Sequence, residues 1–358
     1  MDESRMNDSE IEISGTKVGP SYPPFIIAEI SANHNGKIEN AFDLITKAKN
    51  AGASAVKIQT YTPDTITMNC SKPEFQIMDG LWKGQTLYDL YKSAYMPWDW
   101  QTSLFQFAKE IGITLFSSPF DSTAVDFLES LDAPAYKIAS FEAVDLPLIR
   151  YAASTGKPLI ISTGIANKQE ISEAIDAALG AGCSDIAILH CVSGYPAAPS
   201  DYNLATIPDL RESFDVIVGL SDHTISNTTA ISSVSLGAAL IEKHFTLDRQ
   251  GGGPDDSFSL EPTDLEELCR ETKIAHEALG CINYDLKEGE RENSKFRRSL
   301  YFTTDFRRGH VISEGDVRSI RPGYGLAPKF LDQVIGAKIN DDVSAGTACS
   351  WDLISKTD

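Results

Sequence analysis

The chain has 358 residues, 42% apolar and 23% charged, the balance of an ordinary globular protein. A net charge of −20 argues against nucleic acid, which needs a basic stripe. It leaves room for a small anionic ligand, because surface charge is screened beyond about 8 Å. The opening "MDESRMNDSEIEIS" lacks the basic-then-apolar order of a signal peptide, and no apolar run nears the roughly 20 residues of a membrane span. Six cysteines without a C-x-x-C pair read as reduced thiols, so a cytoplasmic protein with no membrane or nucleic-acid partner is expected.

Residues 1–22 read as an N-terminal extension. Eight strand-like runs follow: "FIIAEI" (25–30), "AVKIQTY" (55–61), "TLFSSPF" (114–120), "AYKIAS" (135–140), "PLIIST" (158–163), "DIAILHC" (185–191), "VIVGLSD" (216–222) and "ALIEKHF" (239–245). Amphipathic stretches such as "ENAFDLITKAKNAGA" and "KQEISEAIDAALGAG" separate them and end in glycine, the usual C-terminal stop. Near-continuous apolar strands alternating with helices imply a parallel sheet covered on both faces, and a count of eight favours a (β/α)8 TIM barrel over residues 23–283. The first connection, "SANHNGK", lacks the G-x-G-x-x-G turn of a dinucleotide fold. Residues 62–113 exceed a simple return and hold Trp82, Tyr88, Tyr91, Trp98 and Trp100; most of these aromatics read as packing. Residues 284–297 are a charged linker, and residues 298–358 a small mostly-β domain, thin for a core of its own.

In such a barrel the chemistry gathers where strands end. Those ends carry Glu29, Lys57, Gln59, Ser118, Lys137, Ser140, Glu142, Ser162, Ser221, His223 and His244. Burying an unpaired ion costs several kcal/mol, so these groups must pair with one another or bind something. Lys57 and Lys137, with the hydroxyls of Ser118, Ser140, Ser162 and Ser221, form a cradle for a phosphate or phosphorylated carboxylate; the lysines also have Glu29 and Glu142 as possible partners. A lysine–phosphate contact at about 4 Å is worth roughly 4 kcal/mol at an effective dielectric of 20, before desolvation. His223 and His244 end the last two strands. They read either as satisfied core residues or as two ligands of a divalent ion whose remaining positions stay open. "RQGGGPDDSF" (249–258) is a candidate lid or a plain flexible loop, with Asp255 its one notable side chain. His34 reads as a loop residue near the mouth, His190 as a packing or hydrogen-bonding residue, and His276 and His310 as surface residues.

Taken in order, "FIIAEISANHNG", "AVKIQTYTPD", "FSSPF", "AYKIAS", "IISTG", "GLSDHT" and "IEKHF" resemble the sialic acid synthase family of phosphoenolpyruvate-condensing nonulosonate synthases. "RSLY" and "RPGYG" resemble that family's antifreeze-like SAF domain, and the resemblance spans about residues 23–356. It implies a TIM barrel, a divalent ion (Mn2+, Mg2+ or Co2+), phosphoenolpyruvate and an N-acetylated aminosugar as substrates. It also implies a domain-swapped homodimer in which the SAF domain caps the partner's site. By the resemblance, His223 and His244 are metal ligands and Glu29 the catalytic carboxylate. Lys57, Ser118, Lys137, Ser140, Ser162 and Ser221 contact phosphoenolpyruvate, while Gln59, Glu142, Tyr195 and Asp255 face the sugar. Arg321 corresponds to an arginine from the other subunit. "TYTPDTIT", "GLWKGQTLYDLYKSAYMPWDW" and "RPGYGLAPKF" look most like the branch that makes pseudaminic acid from 2,4-diacetamido-2,4,6-trideoxy-L-altrose. The alternatives are N-acetylneuraminate and legionaminic acid synthesis from another N-acetylated aminosugar. Ser118 and Ser193 depart from the sialic acid members, which often carry threonine and asparagine there. Two rivals from other classes are a Schiff-base aldolase using Lys57 or Lys137 and a non-catalytic carbohydrate-binding protein.

Overall fold

The computed structural model describes residues 10–355, which divide into two compact units on either side of the boundary between Gly280 and Cys281. The first unit is built on a closed barrel of eight parallel strands: β3 (Phe25–Glu29), β4 (Ala55–Thr60), β5 (Thr114–Pro119), β6 (Tyr136–Ile138), β7 (Leu159–Ser162), β8 (Ile186–Cys191), β9 (Ile217–Asp222) and β10 (Leu240–His244). Closure is made by β10 against β3, pairing Leu240 with Phe25 and His244 with Glu29. Each strand lies within two residues of the apolar run that foretold it, because a strand buried on both faces leaves an unbroken hydrophobic signature.

Side chains alternate along every strand. Residues such as Val56, Ile58, Ile161, Val218 and Ile241 face the helices and form the larger core. The helix Ile38–Ala51 buries Ala41, Leu44, Ile45 and Ala48 against it, a one-face spacing, and stops where Gly52 turns left-handed at φ 94°. The helix Lys168–Gly180 starts at Asn167, whose side chain accepts from the Gln169 and Glu170 amides while Glu170 reaches back to the Asn167 amide; such a cap is worth about 1 kcal/mol.

The inward-facing layer is apolar at the bottom: Phe25, Ile27, Ala55, Phe116, Ala135, Ile160, Ala187, Leu189, Ile217 and Leu240. Ile11, Ile13 and Val18 join this cluster from a hairpin of β1 (Ile11–Ile13) and β2 (Thr16–Val18). Part of the stretch set apart as an N-terminal extension is therefore the floor of the barrel. Its two strands are three residues each and half polar, too short to carry a readable alternation.

The second unit has its own core, including Leu300, Phe302, Ile312, Val317, Val334 and Ile339. Two small antiparallel pairs frame it: β11 (Ser299–Phe302) with β12 (Val317–Ile320), and β13 (Lys338–Ile339) with β14 (Ile354–Ser355). The charged stretch before it contains two 3-10 turns, Glu288–Glu290 and Glu292–Phe296. Among the described residues no helix is long and apolar enough to cross a membrane, and the six cysteines are free thiols.

Candidate active site

Above the apolar floor the same alternation places a buried polar layer at the strand ends. Lys57 Nζ lies 3.1 Å from Glu29 Oε2 and 3.0 Å from Glu242 Oε1; Lys137 Nζ lies 2.9 Å from the same Glu242 oxygen. Ser221 Oγ donates to that oxygen at 3.3 Å, and Gln59 Nε2 donates to Glu29 Oε1 at 3.1 Å and to Ser31 Oγ at 2.8 Å. Lys137 thus pairs with Glu242 rather than Glu142. Glu242 is the residue that sequence reasoning missed. Its signal was present: in "IEKHF" it sits two positions before His244, hence on the same inward face.

These charges hold one another in defined states. Burial opposes ionisation of Glu242, but Lys137 and Lys57 outweigh it and hold its carboxyl below the usual range. Burial alone would weaken the hold of Lys57 on its proton; Glu242 and Glu29 more than reverse that and raise its pKa. For Lys137, with one carboxylate partner, burial wins and the pKa falls to about 8. Burial also raises the Glu29 carboxyl, against the pull of Lys57. Two lysines on one firmly ionised carboxylate, with the second carboxyl, Glu29, pushed toward its neutral form by burial, leave positive potential for an incoming anion.

Around the lysines stand hydroxyls with nothing to bond. Ser118, Ser162 and Ser193 have buried Oγ atoms without hydrogen-bond partners, although a buried polar group left unpaired costs about 1–3 kcal/mol. Ser140 Oγ accepts from the Gly164 amide at 3.1 Å. A Cβ on Gly164 would stand 2.3 Å from Ser193 Oγ and 2.8 Å from Ser140 Oγ, so glycine here keeps the space between the hydroxyls open. Orphaned donors beside paired lysines are what an oxyanion would satisfy.

Facing this cradle, the rings of His223 and His244 lie 5.3 Å apart, centroid to centroid. His223 Nδ1 contacts the Val192 carbonyl at 2.8 Å; a carbonyl only accepts, so Nδ1 carries a proton and Nε2 is the nitrogen left to face an ion, while burial of the ring is outweighed by Cys191 and this carbonyl, which raise its pKa. His244 Nδ1 is buried with no hydrogen-bond partner, and burial followed by the nearby His223 holds the ring well below its usual pKa, hence neutral. Two adjacent imidazoles, His244 held neutral and His223 oriented by a backbone carbonyl, fit a divalent ion that would take the place of any proton on His223 Nε2 and keep open positions. Among the described residues no group of three or more histidine, cysteine or acidic side chains is placed to hold a metal, so the fit rests on this pair alone.

Tyr195 packs 4.4 Å from the His223 ring, and Asp255 Oδ2 lies 3.8 Å from His244 Nδ1. Burial pushes the Glu142 carboxyl up to about 7, and its Oε2 lacks a partner. Gln59, Glu142, Tyr195 and Asp255 therefore belong to the same strand-end face as the lysines and histidines. Arg321 is exposed on the second unit, just after β12.

Loop 249–258, read as a lid or flexible loop, is tied down. Asp256 accepts from Thr246 Oγ1 at 2.5 Å, Asn35 Nδ2 at 3.0 Å and the Gly253 amide at 2.7 Å. Trp82 reaches it from the aromatic insertion, donating to the Pro254 carbonyl at 3.1 Å while its ring lies 5.9 Å from Tyr195. Trp98 and Trp100 pack instead, against Phe127 at 4.9 Å and His34 at 5.5 Å, and belong to the helix Trp98–Ile111. His34 lies in the turn after β3 and is buried there, its Nδ1 accepting from the Gly36 amide at 3.0 Å.

The profile of the NeuB family matches residues 44–284. The chain belongs to the NeuB family. A SAF domain follows at residues 297–355. The pseudaminic acid synthase of Campylobacter jejuni (strain 81-176) is 44% identical to this NeuB chain over 324 residues, covering 90% of it and 94% of the relative. That of Helicobacter pylori is 41% identical, over 94% of this chain and 99% of its own. Among solved structures, the spore coat polysaccharide biosynthesis protein SpsE of Bacillus subtilis superposes with a TM-score of 0.66 at 34% identity, covering 98% of this chain and all of its own. With such relatives, the NeuB chain is an enzyme.

Proposed function

We propose that this NeuB enzyme condenses phosphoenolpyruvate with 2,4-diacetamido-2,4,6-trideoxy-L-altrose and water, giving pseudaminic acid and phosphate. The observation that carries the reading is the juxtaposition of a lysine cradle, ringed by unsatisfied hydroxyls, with two adjacent imidazoles across one barrel mouth. The choice of acceptor is supported by the similarity, at 41–44% identity, to two pseudaminic acid synthases.

Lys57 and Lys137 hold the phosphate and carboxylate of the donor, with Ser118, Ser140, Ser162 and Ser221 supplying hydrogen bonds. C3 of phosphoenolpyruvate forms a bond to the acceptor's aldehyde carbon. Water adds at C2, and the bond from C2 to the phosphate oxygen breaks, releasing inorganic phosphate. His223 and His244 would hold a divalent ion (Mn2+, Mg2+ or Co2+), which when bound acts as a Lewis acid toward a carbonyl. Glu29, raised by burial and tethered by Lys57 and Gln59, is placed to hold or move a proton at the water or at a sugar hydroxyl. Gln59, Glu142, Tyr195 and Asp255 bind the sugar; Glu142 donates a hydrogen bond when protonated. In the proposed assembly two chains form a homodimer, each SAF domain bringing Arg321 to the other's mouth, in the cytoplasm where phosphoenolpyruvate is made.

The test is to incubate the purified chain with phosphoenolpyruvate, Mn2+ and one of three sugars, following phosphate release and product mass. Turnover of the trideoxy-altrose is the expected result. Turnover of N-acetylmannosamine or of a legionaminic acid precursor in its place overturns the acceptor assignment, and phosphate release from none overturns the reaction.

A further inference from the structure

The ladder between β8 and β9 ends at the pair Cys191–Ser221, two residues before His223. From there the backbone that follows β9 has no strand on that side, yet Asp222 and His223 are buried. Unpaired carbonyl and amide groups there would each cost about 1–3 kcal/mol. One side chain replaces the missing strand. Tyr202, fully buried in the connection after β8, donates its hydroxyl to the Ser221 carbonyl at 3.1 Å and accepts the His223 amide at 2.6 Å. One phenol thus makes both bonds of a strand rung.

The tyrosine is itself fixed. Its carbonyl accepts from His190 Nε2, and the two rings meet edge to face at 6.2 Å. Two further tethers complete the grip on His223: its carbonyl accepts from the Ala197 amide at 3.1 Å, and its Nδ1 donates to Val192 at 2.8 Å. On the outer side of the barrel, Lys243 is buried and donates to Asp222 Oδ2, the Thr224 carbonyl and the Ser226 carbonyl at 2.8, 2.7 and 3.0 Å. The segment carrying His223 is therefore clamped from both sides, with the phenol holding its backbone and the Val192 carbonyl its ring.

We propose that Tyr202 is a positioning residue for His223, its hydroxyl bridging Ser221 and His223 so that the imidazole is aimed at the ion it shares with His244. This rests on the two-histidine reading given above. Tyr202 is fully buried and acts through the backbone of its neighbour. Rigid placement of a ligand ring is what raises affinity at a site with only two protein ligands.

The experiment titrates Mn2+ into the full chain without substrates and counts free ion by electron paramagnetic resonance. It compares the wild type with Tyr202→Phe and with Tyr136→Phe. Tyr136 is equally buried and also loses a hydroxyl, bonded to Glu129 at 2.5 Å away from the histidines. Tyr202→Phe is expected to weaken Mn2+ binding by about 10-fold or more, the range seen when a ligand's supporting partner is removed, with Tyr136→Phe unchanged. Unchanged affinity in Tyr202→Phe, or equal weakening in both variants, overturns the proposal while the metal site stands. A wild type that binds no Mn2+ removes the two-histidine reading and this proposal together.

Discussion

Glu242→Gln is the sharpest perturbation of the buried charge network. The substitution keeps the shape of the side chain but removes the one carboxylate within 3.0 Å of both Lys57 and Lys137. Lys57 retains Glu29 at 3.1 Å; Lys137 loses the anion that offsets its burial. Breaking a buried pair by removing one partner costs about 3–5 kcal/mol. At roughly 2–4 °C per kcal/mol for a large domain, the unfolding midpoint of the barrel falls by about 10 °C near neutral pH. The pH dependence follows from Lys137, whose folded pKa of about 8 lies below its ordinary 10.5. In the variant that pKa drops further, so the variant sheds the proton, and part of its penalty, at lower pH than the wild type does. The gap between the two proteins is therefore widest at the low end of the range, narrows as pH rises to about 8 and stays level above it, where both gain equally, leaving the share due to Lys57. Thermal unfolding by circular dichroism from pH 6 to 9 measures this, with and without phosphoenolpyruvate, whose negative charge should raise the midpoint of the variant more than that of the wild type. Equal midpoints across that range, or equal stabilisation by the ligand, would mean that Glu242 does not hold these cations.

Gly164→Ala puts a methyl 2.3 Å from Ser193 Oγ and 2.8 Å from Ser140 Oγ; the KM for phosphoenolpyruvate should rise at least about 10-fold, the equivalent of ~1.4 kcal/mol, with the acceptor KM little changed. An unaltered donor KM refutes the placement of the cradle. Glu142 has a folded pKa of about 7 against an ordinary 4.5, so the folded chain binds its proton more tightly and wild-type stability falls as pH rises between those values. Glu142→Gln carries no such loss: its stability relative to wild type should climb by up to about 3 kcal/mol from pH 4.5 to 8, at ~1.4 kcal/mol per pKa unit, and denaturant curves that stay parallel contradict it.

The barrel was legible because its strands are buried on both faces, and such strands announce themselves as apolar runs whatever their neighbours. The polar layer was legible for a related reason: a charged or hydroxyl residue closing an apolar run, as Lys57, Ser162 and His244 do, has few places to go except the inner mouth. Partnership was less readable. Lys137 has two glutamates within reach of a sequence-level argument, Glu29 and Glu142, yet closure of the barrel brings in Glu242 from the far end of the chain. That contact separates residues by 105 positions and depends on the strand register across the sheet. The anchored loop shows the converse error. Three glycines in "GGGPDD" suggest freedom, but two of them, Gly251 and Gly253, lie where a Cβ would collide with Asp256 or Asn35, so they serve close packing. The floor hairpin was hidden by brevity, with Glu12, Thr16 and Lys17 exposed between its buried residues.

The central claim is that His223 and His244 together hold one divalent ion beside the lysine cradle. Crystals grown with Mn2+ and phosphoenolpyruvate, measured at the manganese absorption edge, test it in a single map. The account predicts one strong anomalous peak within about 2.3 Å of an imidazole nitrogen of each histidine, with the donor's phosphate on Lys57 and Lys137. A peak bound elsewhere in the chain, or none between two ordered rings, would contradict it.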